Sequence, residues 1–270
     1  MTDFADPFQL EQFLRRLPLR RELARKIFLK QKCLSTADTA RKILQDEPTK
    51  EHHSFLVVAE HQTNGRGRKN RDWWSGPAKS NLACTLAFET PCWSTEAASV
   101  AGACALAQVI ERFAPGKIAA KWPNDILCKE RKMAGFLAEV LQNQKRSSTL
   151  LSLGLNVHTA PPSSETNYPA IALAEITQES ISRTNILAAW ILQLQTLLTR
   201  IKRTGLQTLE EDYLYWLRRW APLGVYNPKT QEGGPLIEFS FSEGLTWAND
   251  NGHTATRPLG LISTLEAITH

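Results

Sequence analysis

Apolar segments of strand length recur along the first 220 residues of this chain, separated by polar loops and helical segments. Short apolar runs with polar boundaries are typical of buried strands. Two of the runs flank Glu130 and Arg131 and predict a hairpin. The predicted strands are FLVVAE (55–60), NLACTLAFE (81–89), KIAAKW (117–122), ILCK (126–129), KMAGFLAEV (132–140) and LLSLGLNV (150–157).

Helical segments fill much of the remaining chain up to Trp220, and the character of the sequence changes after it. The loop 158–169 is rich in Pro, Ser and Thr, which predicts a mobile segment. Beyond a boundary at Ala221 to Gly224, short strand segments with Gly and Pro turns predict a small all-β unit. We predict helices over 8–32 with a break at Pro18, from Ser35 or Thr36 through ADTARKIL, over 96–113, from Thr184 to Gly205, and over 207–219.

The composition excludes several classes of protein. A chain of 270 residues with 42% hydrophobic residues suits one large domain or a domain with a small appendage. It contains neither a run of about 20 apolar residues nor the residue order of a secretory signal, so we expect a cytoplasmic protein without a membrane span. The five cysteines form no CxxC pair, which indicates reduced thiols and no zinc site.

The formal net charge of +5 is modest and unevenly distributed. It suits an anionic small molecule or an acidic partner protein, and it is weak evidence for nucleic acid. From Arg15 to Lys32, eight basic residues stand against Glu22 alone. Such a run is most often a solvated helix face, and weak contact with nucleic acid or a membrane surface is the alternative.

An arginine-rich loop directly follows the predicted strand 55–60. In Gly65-Arg66-Gly67-Arg68, glycines allow backbone N–H groups to approach a ligand, and arginines offer a planar fork of donors for carboxylates and phosphates. We therefore predict an anion-binding loop. Trp73 and Trp74 come next, and either could anchor the loop in the core or cover a flat ligand.

The second motif is KWPNDILCKERKMAG, from Lys121 to Gly135. Its proline presets a turn that Asn124 and Asp125 can cap through their side chains. Lys132 lies on the far arm of the hairpin, just before Gly135, whose lack of a side chain leaves room for a ligand. A third motif, Gly154-Leu155-Asn156, ends an apolar strand, and glycine in a strand often marks the close approach of another group.

Together these motifs resemble those of the biotin–protein ligase family. The matching segments are STADTA (35–40), AEHQTNGRGRKNRDWWS (59–75), SNL (80–82), KWPNDILCKERKMAGFLAEV (121–140) and GLN (154–156), in the same order and spacing. The resemblance implies a mixed-sheet α/β catalytic domain followed by a small C-terminal SH3-like β-barrel. It divides the chain into an N-terminal helical extension (1–32), a catalytic domain (33–220) and a β domain (221–270).

The resemblance also implies a two-step reaction. Biotin's carboxylate attacks the α-phosphate of ATP and gives biotinyl-5′-AMP, with Mg²⁺ assisting. A specific lysine of a biotin carboxyl-carrier domain, from acetyl-CoA carboxylase or a related carboxylase, then attacks the mixed anhydride. The expected protein is a cytoplasmic biotin–[carboxyl-carrier protein] ligase, monomeric or a homodimer. About 32 residues precede the match, too few for a three-helix DNA reader with a wing, so we expect no specific DNA binding.

By position, the family's site residues fall on the matching segments. The resemblance gives Lys132, Arg68 and Asp125 the catalytic roles: Lys132 contacts the biotin carboxylate and the phosphate, and Arg68 closes over the intermediate. Asp125 either orients Lys132 or receives the incoming lysine. The positions matching contacts to biotin or the adenylate are Ser35, Thr36, Gln62, Gly65, Arg66, Gly67, Arg68, Trp73, Trp122, Asn124, Lys132, Gly135, Gly154 and Asn156, with Trp73 and Trp122 lining the apolar or adenylate side.

The chain departs from the family pattern at several positions. Ala37 replaces an asparagine, Asn70 replaces a glycine, and Ser152-Leu153-Gly154-Leu155-Asn156 stands where the family has GAGIN. We expect Leu153 to crowd the pocket wall. The family's adenine-covering tryptophan falls near Ala170, where Tyr168 can substitute.

Two other functions remain open at this point. One is a lipoate–protein ligase-like acyl transferase, which would also need a lysine and a carrier domain. The other is a non-catalytic protein that uses the basic, tryptophan-rich loop to bind nucleic acid or an adenylate. The loop 158–169 is expected to close over the adenylate.

Overall fold

A computed structural model describes residues 23–46, 54–89, 93–143, 146–166, 168–249 and 252–269. Its main element is a seven-stranded sheet. The strands are β1 (Lys26–Lys30), β2 (Ser54–Ala59), β5 (Leu82–Glu89), β6 (Ile118–Lys121), β7 (Asp125–Cys128), β8 (Arg131–Asn143) and β9 (Arg146–Leu155), in the spatial order β1-β2-β5-β9-β8-β7-β6. Two short strands, β3 (Gly65–Arg66) and β4 (Asp72–Trp73), pair separately.

Four helices accompany the sheet in the described ranges: α1 (Thr36–Asp46), α2 (Thr95–Ile110), α3 (Arg183–Thr204) and α4 (Gln207–Trp220). Helix α1 covers one face of the sheet, where Ala40 packs against Phe55, Val57 and Leu150. Helix α2 covers the other face, and its small residues let it approach closely. A Cβ at Gly102 would stand 2.8 Å from Phe136 Cε1, so the helix needs a glycine there.

The chain after Trp220 forms the expected small β unit. Its two three-stranded sheets comprise β10 (Val225–Asn227), β11 (Glu232–Gly234) and β15 (Glu266–Ala267), and β12 (Leu236–Ser240), β13 (Gly244–Ala248) and β14 (Thr254–Arg257). The mixed-sheet α/β fold with a small C-terminal β domain is therefore confirmed. The predicted strands and hairpin up to residue 157 are confirmed as well, and Lys129 and Glu130 form the hairpin turn with positive φ angles.

One element is wrong in the sequence-based prediction. The helix expected over 8–32 is replaced at Lys26–Lys30 by a strand parallel to β2, and Phe28 packs edge-on against Phe55 at 5.6 Å between ring centroids. Pairing with a neighbouring strand overrides the local helical pattern. Residues 1–22 of the expected N-terminal extension, and Cys92, lie outside the described residues.

The remaining expectations concern thiols and membranes. Cys33, Cys84, Cys104 and Cys128 are free, as expected for reduced thiols, and burial raises the pKa of each of them. In the described ranges, no helix combines the length and the apolar character needed to cross a membrane.

A buried ion pair joins α3 to the end of β2. Arg183 is fully buried, and its Nη1 lies 2.8 Å from Glu60 Oε2 and donates to the Asn81 carbonyl at 3.3 Å. The backbone carbonyl of Glu60 also accepts a hydrogen bond from Lys79 N–H, and its backbone N–H donates one to the Lys30 carbonyl. The pair therefore ties together the start of the arginine-rich loop, the entry to β5 and the first turn of α3.

We expect Glu60→Ala to lower the free energy of unfolding by about 3–5 kcal/mol, because it leaves a buried guanidinium without its carboxylate. The matched control is Arg131→Ala, which breaks the exposed pair with Glu175 and should change stability by less than about 1 kcal/mol. Urea denaturation of the two variants measures both values. Equal losses in the free energy of unfolding for the two variants would show that burial does not strengthen the Glu60–Arg183 pair.

Candidate functional site

Trp73 lies flat on a pair of glycines in the main sheet. Gly135 on β8 and Gly154 on β9 are opposite each other in the strand register. A Cβ at Gly154 would overlap the indole, with Cζ2 at 2.6 Å, and a Cβ at Gly135 would stand 3.1 Å from Cζ3. A side chain at Gly154 would therefore displace the indole, whereas one at Gly135 would crowd it. The Trp73 side chain is partly exposed and forms a wall above the sheet.

Lys132 and Asp125 meet beside this wall. Lys132 Nζ lies 2.8 Å from Asp125 Oδ1 and 5.5 Å from the centroid of the Trp73 ring, and both partners are partly exposed. The hairpin of β7 and β8 brings them together, and Gly135 leaves the space that the lysine chain uses, since a Cβ there would stand 3.4 Å from Nζ. An ammonium held by a carboxylate next to an aromatic wall can bind an anionic group.

The end of loop 158–169 is fixed to Lys132 through the backbone. Lys132 N–H donates to the Pro169 carbonyl at 2.7 Å, and Ile171 N–H donates to the Lys132 carbonyl at 2.9 Å. Ala170, expected near the adenine-covering position, pairs with Lys132 in this bridge. The ring of Tyr168 lies 4.6 Å from Lys121 Nζ.

Lys121 is a further cation that the sequence reasoning did not assign to the site. Its Nζ lies between the rings of Tyr168 and Trp220, at 4.6 Å and 5.2 Å from their centroids. Burial lowers the pKa of Lys121. The negative charges of Asp125 and Glu266 raise this pKa, and the positive charge of Lys132 lowers it further. Its place as the first residue of the KWPND segment was the signal that could have identified it.

The arginine-rich loop is a tight hairpin closed by its glycines. Gly65 pairs with Trp73, and a Cβ on Gly65 would stand 2.6 Å from the Trp73 carbonyl oxygen. Gly67 N–H donates to the Arg71 carbonyl at 2.7 Å. Asn70 has a φ of 57°, which explains why asparagine can stand where the family has glycine.

The side chains of the two loop arginines differ in their surroundings. Arg66 Nε lies 3.1 Å from Asp38 Oδ2, so this arginine binds the first turn of α1.

The surroundings of Arg68 include the buried hydroxyl of Tyr213. Burial raises the pKa of this hydroxyl well above its ordinary value; Cys104 and Asp125 raise it further, and Arg68 lowers it. Arg68 and Asp125 thus both act electrostatically on the same buried hydroxyl.

A buried polar cluster lies between α1 and the sheet. Thr36 donates to Gln62 Oε1 through its backbone N–H at 2.8 Å and through its hydroxyl at 3.1 Å. Thr85 Oγ1 donates to Thr36 Oγ1 at 2.9 Å and shares a 2.8 Å hydrogen bond with Ser152 Oγ. Ser35, Thr36 and Gln62 were predicted here, whereas Thr85 was missed because nothing in its local sequence distinguishes it from other strand residues.

Three predicted residues have mainly structural surroundings. Trp122, expected on the apolar or adenylate side, is 4% exposed, packs against Tyr213 and Phe239, and donates its indole N–H to the Ile262 carbonyl at 2.9 Å. This position corrects the expectation, because the indole is enclosed by the C-terminal unit. Asn124 donates to the Phe136 carbonyl at 2.6 Å, and buried Asn156 donates to the Ile171 carbonyl at 3.4 Å.

Two of the departures from the family pattern can now be placed. Leu153 was expected to crowd the pocket wall, but it is in register with Phe136 and lies in the core on the α2 face. Side chains alternate between faces along a strand, so Ser152 and Gly154 share the opposite face with Trp73 and α1. Ala37 is buried in α1, and its N–H donates to Ser35 Oγ at 3.1 Å.

The resemblance implies Mg²⁺, an ion that proteins usually bind through one or two carboxylates together with the phosphates of a substrate. In the part of the chain that the structure describes, no group of three or more His, Cys, Asp or Glu residues could hold a metal ion. The carboxylate of Asp125 is paired with Lys132. We therefore assign no step to the metal.

Comparisons with known proteins agree on one family. Residues 33–157 match the family model described as the Biotin/lipoate A/B protein ligase family. The chain is 31% identical over 157 residues to the bifunctional ligase/repressor BirA of Bacillus subtilis (strain 168), covering 57% of this chain and 47% of that protein. It is also 31% identical over 165 residues to the biotin–[acetyl-CoA-carboxylase] ligase of Mycobacterium tuberculosis, covering 58% and 59% respectively. The chain thus spans about half of these curated relatives.

The fold itself is shared with a solved structure. The biotin protein ligase from Aquifex aeolicus, in complex with biotin and ATP, superposes with a TM-score of 0.72 and covers 90% of this chain and 100% of that chain. The sequences are 19% identical, so this likeness concerns the fold.

We expect Gly154→Ala to lower the free energy of unfolding by about 1–3 kcal/mol, since the new methyl group overlaps the Trp73 indole. Gly260→Ala is the matched control, because a Cβ there meets no atom within 4 Å. Urea denaturation measures both.

A double-mutant cycle tests the cause. In a Trp73→Ala background, Gly154→Ala should cost much less, because the atoms it displaces are gone. An equal cost in both backgrounds would rule out the indole contact as the source.

Proposed function

We propose that this protein is an ATP-dependent biotin–protein ligase, because residues 33–157 match the model of the Biotin/lipoate A/B protein ligase family. It adenylates biotin to biotinyl-5′-AMP and transfers biotin to a lysine of a carboxylase carrier domain. The observation that carries the proposal is the ion pair of Lys132 and Asp125 beside the Trp73 wall on Gly135 and Gly154. We propose 33–220 as the catalytic domain and 221–270 as the C-terminal β domain.

In the first step, two anions must meet. An oxygen of the biotin carboxylate attacks the α-phosphorus of ATP, and the bond to the bridging oxygen breaks to release pyrophosphate. The ammonium of Lys132 binds the carboxylate and the phosphate together and offsets their repulsion. Arg68, which by its resemblance closes over the intermediate, supplies a second cation for the phosphate. A fixed donor aimed at developing charge is typically worth about 3–4 kcal/mol.

In the second step, the amine of the acceptor lysine attacks the carbonyl carbon of the mixed anhydride. The amide bond forms, the bond to AMP breaks, and the amine gives up a proton. The polar cluster of Ser35, Thr36 and Gln62 holds the ring of biotin, and the Trp73 indole covers the chain between the ring and the carboxylate. Tyr168, whose ring lies next to Lys121, covers the adenine in this proposal.

We expect Lys132→Ala to slow biotin-dependent exchange of labelled pyrophosphate into ATP by about 100–1000-fold, because the cation between the two anions is lost. Lys117→Ala is the control, since Lys117 is an exposed lysine one strand away from the site. No exchange in folded wild type would refute biotin adenylation, and lipoate-dependent exchange would then identify the alternative acyl transferase.

Asp125→Asn distinguishes the two roles open to this carboxylate. Since Asp125 contacts Lys132 directly, we expect the substitution to slow adenylation as well as transfer. Pyrophosphate exchange measures the first step, and transfer from preformed biotinyl-5′-AMP to a carrier domain measures the second. Glu130→Gln, in the exposed turn of the same hairpin, is the control. Loss confined to transfer would mean that Asp125 receives the incoming lysine.

A further inference from the structure

The buried polar cluster is a directed chain of hydroxyl groups. A hydroxyl carries one proton and therefore donates once. Thr36 donates its proton to Gln62 Oε1, and Thr85 donates its proton to Thr36 Oγ1. The hydrogen bond between Thr85 and Ser152 must then take its proton from Ser152. The order of donation is Ser152, Thr85, Thr36, Gln62.

This order leaves the Ser152 oxygen as an acceptor. Its only proton points to Thr85, and its remaining lone-pair capacity faces away from that bond. Ser152 is partly exposed, whereas Thr85 and Thr36 are fully buried behind it. Ser152 also lies two residues before Gly154, so both residues belong to the face of β9 that Trp73 covers.

The hydroxyl groups of Ser35 and Ser75 differ from that of Ser152, because their oxygens already accept a hydrogen bond and their protons remain to be donated. Ser35 Oγ accepts from Ala37 N–H at 3.1 Å, and Ser75 Oγ accepts from Gln62 Nε2 at 3.1 Å. Neither proton has an acceptor within the part of the chain that the structure describes. The same cluster thus offers donors at Ser35 and Ser75 and an acceptor at Ser152.

We propose that Ser152 is a specificity residue whose oxygen accepts an N–H of the substrate's ring and selects a cyclic urea over a dithiolane. The inference rests on the proposed function and deepens it. A cyclic urea presents a carbonyl that accepts hydrogen bonds, flanked by N–H groups that donate. A dithiolane ring has neither group and leaves the polar cluster unpaired. Serine stands where the resembled family has glycine, so this acceptor is a property of this chain.

Thr85 is a positioning residue in this arrangement. It takes the Ser152 proton and so keeps the Ser152 oxygen free to accept. Without the Thr85 hydroxyl, the Ser152 proton would turn toward the ligand and oppose its N–H.

Calorimetric titration without ATP tests the proposal on the full chain. The ligands are biotin, desthiobiotin (the cyclic urea without the sulfur ring) and lipoate (a sulfur ring without the urea). We expect Ser152→Ala to weaken biotin and desthiobiotin alike, by about 10-fold, because a ring N–H loses its acceptor. Ser148→Ala, on the same face of the same strand, should leave all three affinities unchanged.

The Thr85 variants exclude a merely structural effect. Thr85→Val should weaken both ureas like Ser152→Ala, and Thr85→Ser, which keeps the hydroxyl, should restore wild-type affinity. Thermal melting of each variant verifies folding, and the Thr85 pair tests the proposal if Ser152→Ala does not fold.

The outcomes separate this inference from the proposed function. Wild type that binds neither urea overturns both. Wild type that binds both ureas, with affinity unchanged in Ser152→Ala and Thr85→Val, overturns the role of Ser152 and leaves the ligase proposal standing. Equal binding of lipoate and biotin by wild type also overturns the selection.

Discussion

The contact between the Trp73 indole and the glycine pair of the sheet determines the geometry of the candidate site. Strand pairing puts Gly135 opposite Gly154, and the missing side chains give the indole a flat surface. The backbone of the same tryptophan pairs with Gly65, which closes the arginine-rich loop. The loop and Lys132 therefore keep a fixed relation to each other, because both are positioned by one aromatic ring and the two strands beneath it.

One face of β9 belongs to the core under α2, and the other face belongs to the candidate site. Leu153 and its neighbours on one face are buried under α2, so a larger side chain there changes the core and not the pocket. Ser152 and Gly154 face α1 and the indole, so a change at either one reaches the ligand space. Substitutions at adjacent positions of one motif thus have unrelated consequences, since successive strand residues point in opposite directions.

The KWPND segment connects the site to the C-terminal β unit. Trp122 is enclosed by that unit and donates to the Ile262 carbonyl, while Asp125, three residues later, binds Lys132. Lys121 lies between Tyr168 of the loop and Trp220 at the end of α4; burial lowers its pKa, and the charge of Glu266 in the C-terminal unit opposes this lowering. The C-terminal unit therefore contacts the KWPND segment directly, next to the hairpin that carries Asp125 and Lys132.

Local patterns in the sequence determined most of the elements and the residue types of the site. Apolar runs predicted the strands, and the glycines, the WPND turn and Lys132 marked the positions that meet at the candidate site. The tertiary structure alone decided that Lys26–Lys30 is a strand, that Leu153 faces the core, and that Trp122 is enclosed. It also joined Thr85 to Thr36 and Ser152, which lie 49 and 67 residues away. The reason is physical: the direction of a strand side chain depends on register, and register is set by pairing between segments that are distant in the chain.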